Sequence, residues 1–138
     1  MTSESKPKPK PMPRWFGLAC YPCQVGVATT APQHAALLSG LGLKSAAPDT
    51  PGRTVSYVHE ETQRCRIVVW LQHKPVRSLA GLVGLCAHEA AHVVEYVAEY
   101  IGEKQFSSEA NAYLLEAVTR LCFSEYTRLS PDTRFIED

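Results

Sequence analysis

The chain has 138 residues, 45% of them hydrophobic and 20% charged, and its 14 basic and 14 acidic side chains cancel. That length supports one domain with a modest core and excludes two independent ones. Zero net charge gives no field to draw nucleic acid or an anionic membrane, and no apolar run approaches the ~20 residues of a bilayer span, so neither partner is expected.

Residues 1–13 alternate Lys and Pro (Lys6-Pro7-Lys8-Pro9-Lys10-Pro11), which predicts a disordered, polyproline-like tail ahead of a single domain over 14–138. The tail lacks the apolar stretch of a signal peptide. Five cysteines, an odd count, suit a reduced state, and a cytoplasmic location is expected. Residues 15–28 are apolar but punctuated by Gly17, Pro22 and Gly26, and read as an irregular or extended segment. Cys20-Tyr21-Pro22-Cys23 is a lone C-x-x-C; with no second pair and no βαβ context it reads as loop and core packing, not structural zinc or a redox motif.

Thr30 is a candidate N-cap for a short helix through Ala35, Ala36, Leu37 and Leu38, closed by Gly40. A loop with Pro48 and Pro51 follows. Residues 53–59 alternate Val55 and Tyr57 against Thr54 and Ser56, the pattern of a half-buried strand. Residues 65–72, rich in β-formers (Ile67, Val68, Val69, Trp70, Leu71), predict a more deeply buried strand, joined to the first by a polar turn at 61–64. Pro75 halts it.

From Ser78 to Ile101 the residues Leu79, Leu82, Val83, Cys86, Val93, Val94, Val97, Tyr100 and Ile101 fall on one arc at helical spacing. The opposite face carries Gly81, Gly84, Leu85, His88, His92, Glu95 and Glu99. Gly102 ends this helix. After a link at 103–106, Ser107 is a good N-cap for a final helix to about Tyr126, whose core stripe is Ala110, Leu114, Leu115, Val118, Leu121 and Cys122. Its other face carries Glu109, Ala112, Tyr113, Glu116 and Arg120. Cys86 and Cys122 read as core thiols. The expected fold is α+β: a small antiparallel sheet, with a hairpin at about 53–72, packed on helices at about 78–101 and 108–126.

His88-Glu89-Ala90-Ala91-His92 is an H-E-x-x-H run inside the first long helix. Its histidines lie one turn apart and roughly 40° around the axis, so both imidazoles reach one ion. Zinc held this way keeps a position open for water and lowers that water's pKa to about 7, with Glu89 suited to act as general base. Core packing explains the apolar arc and leaves the histidine face unexplained. Two glycines on that face cost about 1 kcal/mol each relative to alanine, which suggests room for another element or a substrate. A zinc-dependent hydrolase, most simply a peptidase acting on peptides or proteins, is the expected function.

A catalytic zinc takes three protein ligands plus water. The chain resembles the small gluzincin-like (minigluzincin) proteins carried by phages and prophages. The resemblance rests on Trp15-Phe16-Gly17 with Tyr21-Pro22, on His88-Glu89-x-x-His92, on Gly102-Glu103, and on Ser107-Ser108-Glu109-x-x-Ala112-Tyr113. The order is similar to H-E-x-x-H followed by E-x-x-A in small intracellular metalloproteases. It covers about residues 85–116 well and the rest weakly. It implies a zincin-like helix pair, His88, His92 and Glu109 as zinc ligands, and Glu89 as catalytic base.

Straight antiparallel helices would instead put Glu116 level with His92 and Glu109 opposite the end of the first helix. Glu95, one turn past His92, is a third candidate. Glu89-x-x-His92 also fits half of a di-iron carboxylate site, but no second Glu-x-x-His exists. Tyr113 is expected to pack between the helices, with oxyanion donation as the alternative, and an extended substrate could align on an exposed edge of the hairpin. A rival reading keeps the zinc but makes the domain a module that docks a host or virion protein. A third has no metal, only protein interaction.

Overall fold

A computed structural model describes residues 10–103 and 107–137. Residues 1–9 of the expected tail, 104–106 of the interhelix link, and Asp138 lie outside the described residues. The elements run β1 (Trp15–Leu18), β2 (Tyr21–Ala28), α1 (Ala31–Gly40), β3 (Gly52–Val58), β4 (Cys65–Leu71), β5 (Val76–Ser78), α2 (Leu79–Tyr100), α3 (Ser108–Leu129) and β6 (Arg134–Ile136).

The fold is α+β, and its sheet is larger than the hairpin expected. Four strands lie in the order β1-β2-β4-β3, with β1 antiparallel to β2, β2 parallel to β4, and β4 antiparallel to β3. The sheet is therefore mixed, not antiparallel. The segment read as irregular or extended is extended, and supplies two of its strands. Gly26, which looked like a break, marks a close approach: a Cβ there would stand 2.9 Å from Leu37 Cδ2 and 3.1 Å from the Trp15 ring.

β4 is central, which accounts for its unbroken apolar run. Its alternation divides the core in two. Ile67, Val69 and Leu71 join Val25 and Val27 against α2 and α3, while Val68 and Trp70 join Ala28, Leu37 and Leu38 beneath α1. The sheet thus separates α1 from the closely packed helix pair.

Local chemistry sets the helix ends close to where the sequence predicts them. The Gln33 side chain accepts from the backbone N–H of Thr29 (2.8 Å) and of Thr30 (3.3 Å) at the start of α1. Ser78 caps α2 by accepting from Gly81 N–H (2.9 Å), and Ser107 caps α3 by accepting from Ala110 N–H (3.2 Å). Gly102, at φ +79°, takes the left-handed conformation that closes α2. Leu79 and Val83, placed on the apolar arc by spacing, are each 45% exposed, while Leu82 between them is fully buried.

The C-terminal segment carried no sequence signal, yet it is tied down. β6 pairs in parallel with β5. Arg77 is buried, donating through Nε to the Tyr126 hydroxyl (3.0 Å) and through its guanidinium to the Gln72 carbonyl. Glu125, 2% exposed, accepts from Arg14 (3.3 Å) and Arg128 (2.7 Å), joining the start of the domain to its last helix. Among the described residues no helix is long and apolar enough to cross a membrane.

Candidate metal centre

The face of α2 that packs inward is made of Leu82, Cys86, Glu89, Ala90, Val93, Val94, Val97 and Ala98. Helical periodicity turns His88 and His92 away from it. Their rings meet edge to face, with centroids 5.0 Å apart and planes at 80°. The His92 side chain is 45% exposed, and its Nδ1 lies 3.5 Å from Glu95 Oε2. A carboxylate on one ring nitrogen orients the imidazole and leaves the other nitrogen outward, the arrangement that steers metal-ligating histidines.

Glu89 is the one charged member of the inward face. At 3% exposed it sits between α2 and β3, where Thr54 Oγ1 donates to its Oε1 over 3.0 Å. Its other oxygen, Oε2, faces Gly52: a Cβ on that glycine would stand 2.7 Å away. Thr54 was missed by sequence reading. Alternation put Val55 and Tyr57 on the buried side of β3, but the register pairs Thr54 with Val69 and Gly52 with Leu71, on the side that faces α2. Tyr57 packs on the α1 side. The available signal was the composition of that strand: a small polar stripe opposite a helix whose inward face carries a glutamate.

The interhelix level can be read from the thiols. Cys122 lies near both Cys86 and Glu89, and its ionisation is pushed up by burial first and by those two neighbours after. Residues near 122 therefore stand level with residues near 88. On that register Glu109 lies about 13 Å along the axis from His92; it is exposed in the first turn of α3. Glu116, closer in level, is 63% exposed and paired with Arg120 at 3.7 Å. Among the described residues no group of three His, Cys, Asp or Glu side chains is placed to hold a metal ion. Two imidazoles alone fall short of the three protein ligands of a catalytic zinc, and among the described residues no third donor joins them. Tyr113, expected between the helices, is 69% exposed, since it faces away from the Leu114–Val118–Cys122 stripe.

The four buried thiols are poor nucleophiles. Burial raises Cys23 to about 12, helped by its contact with Cys65, and burial raises Cys65 as well. Cys86 is also raised to about 12 by burial, against the pull of Arg77. These groups stay protonated at neutral pH. Cys20, in the turn before β2, is exposed.

One further constellation has the residue types of an acyl-transfer site. His73 Nδ1 lies 2.9 Å from Ser130 Oγ, and His73 Nε2 lies 3.3 Å from Asp132. Ser130 is 3% exposed and its hydroxyl is shared with Thr29 Oγ1 at 2.7 Å. A hydroxyl so enclosed fastens the C-terminal segment and meets no substrate. A groove of about 760 Å³, lined by Leu41, Tyr57, His59, Arg64 and Arg66 among others, opens on the α1 side of the sheet. It has no part in the histidine face.

No family model matches this chain, and no match is found among curated proteins or solved structures.

Proposed function

We propose that the chain is a zinc-dependent hydrolase, a gluzincin-like metallopeptidase of the cytoplasm whose substrates are peptides or proteins. One observation carries this reading: paired imidazoles on successive turns of α2, with the Glu89 carboxylate held between that helix and an edge strand. Zinc, when bound, would polarise the scissile carbonyl and acidify the attacking water. Glu89 takes that water's proton and returns it to the leaving amine. Glu95 steadies His92. As an edge strand, β3 offers unpaired backbone groups along which an extended peptide can lie.

His88 and His92 are the ligands from α2, and the gluzincin likeness assigns the third position to Glu109. The helix level makes Glu116 its competitor. Titrating zinc into Glu109→Ala and Glu116→Ala decides between them: the variant of the true ligand loses affinity by about tenfold or more, and the other keeps it. Incubation of the zinc-loaded chain with a peptide library, with and without chelator, tests the function itself. Chelator-sensitive cleavage is expected; intact peptides beside tightly bound zinc would overturn it.

A second reading has its own support. Glu89 is nearly closed off and already hydrogen-bonded, and no third donor stands at the histidines among the described residues. A domain that holds zinc and acts by docking another protein needs neither a free base nor an open cleft, and the same incubation separates the two.

A further inference from the structure

We propose that Thr54 is a positioning residue for Glu89, tying down one carboxylate oxygen while Gly52 packs closely against the other; the proposal rests on the hydrolase reading above. Glu89 has almost no access to water, so a lost hydrogen bond to its carboxylate is poorly replaced by solvent. The Thr54 hydroxyl has a single proton and two acceptors within reach, Glu89 Oε1 at 3.0 Å and the Glu89 carbonyl oxygen at 3.4 Å. The shorter, charge-assisted contact takes it. Threonine is stiff at χ1, and its strand is fixed to β4 in register. The hydroxyl is therefore aimed by the sheet and holds the Glu89 side chain in one direction.

Oε2 is treated differently. Among the described residues it accepts no hydrogen bond, and it faces the first residue of β3, where even a methyl group would stand 2.7 Å away. Thr54 and Gly52, two positions apart on the same face of an edge strand, hold the carboxylate together, one through a hydrogen bond and the other by close packing. Thr54 touches Glu89 and no reacting atom, so its effect passes through the glutamate.

The test uses the full chain with glutamate labelled by 13C at the carboxyl carbon, the Glu89 resonance being identified by its loss in Glu89→Gln. Thr54→Val removes the hydroxyl and keeps the shape, Thr54→Ala removes it with less bulk, and Thr54→Ser keeps it. With fluorescein-labelled casein as probe, zinc-loaded Thr54→Val and Thr54→Ala are expected to lose about tenfold or more in kcat with KM little changed, and Thr54→Ser to retain most of the rate. In the metal-free protein the Glu89 resonance moves in Val and Ala and returns in Ser. Wild-type kcat in the Val and Ala variants, or a resonance that does not move, overturns the proposal. If the wild-type chain leaves casein intact, the hydrolase reading fails on its own; the resonance then still decides whether Thr54 holds Glu89.

Discussion

Gly81 and Gly84 share a face of α2, yet a methyl group meets different surroundings at each. At Gly81 it would stand 3.2 Å from Ser78 Oγ and 3.3 Å from Ser78 Cβ, crowding the residue that caps the helix; at Gly84 nothing lies within 4 Å. Gly84→Ala should therefore raise stability by about 1 kcal/mol, the ordinary helix gain over glycine. Gly81→Ala should gain less. Urea unfolding of the two variants checks the order. At Glu89 the expectation is chemical: Glu89→Gln abolishes hydrolysis and leaves zinc bound, read by activity and elemental analysis on one sample. The thiols give a third expectation. Cys20 alone is exposed, so Ellman's reagent should modify one thiol quickly and the remaining four only when the chain unfolds.

Among the elements, helices were more legible than strands. Ser78, Gly102 and Ser107 announce the ends of α2 and the start of α3 through caps that need only neighbours in sequence. β4 announced itself through a β-branched run. β1 and β2 did not, because Pro22 and Gly26 resemble breakers until Trp15 and Leu37 are seen against Gly26. β5 and β6 are three residues each and exist through one another, across the 55 residues between Ser78 and Arg134. The histidine pair was legible because it lies on a single helix. The bond from Thr54 to Glu89 was not, since it joins residues 35 apart and depends on which face of β3 turns inward.

α1 carries a pH dependence of its own. His34 is buried with its Nδ1 unpartnered, edge-on to Trp70 at 5.8 Å, and burial lowers its pKa below the ordinary 6.5. The unfolded chain binds this proton more readily than the folded one. His34's share of stability is thus whole above about pH 6.5, falls as pH drops below that, and levels off once the lowered folded value is passed. Urea midpoints between pH 5 and 7.5 should show a shallower acid-side slope in His34→Leu than in the wild type.

Across the whole molecule, distant segments are joined by buried polar groups as well as by the apolar core. Glu125 receives Arg14 and Arg128, and both arginines reach solvent, with 59% and 31% of their side chains exposed. Losing the carboxylate leaves those cations hydrated, so Glu125→Gln should cost only about 1–2 kcal/mol, measured by chemical denaturation. The same variant should loosen the start of the domain, seen as faster proteolysis near Arg14.

The parallel pairing of β2 with β4 constrains the order in which the chain can assemble. Cys23 meets Cys65 across that ladder, and α1 and β3 must both be threaded between them before it zips. The β3–β4 hairpin closes only a short turn and pays far less loop entropy. It is expected to form early and serve as a template, with β2 docking late onto its open side. Pulsed hydrogen exchange during refolding should accordingly protect the amides of Val68 and Trp70, which face β3, before those of Ile67 and Val69, which face β2.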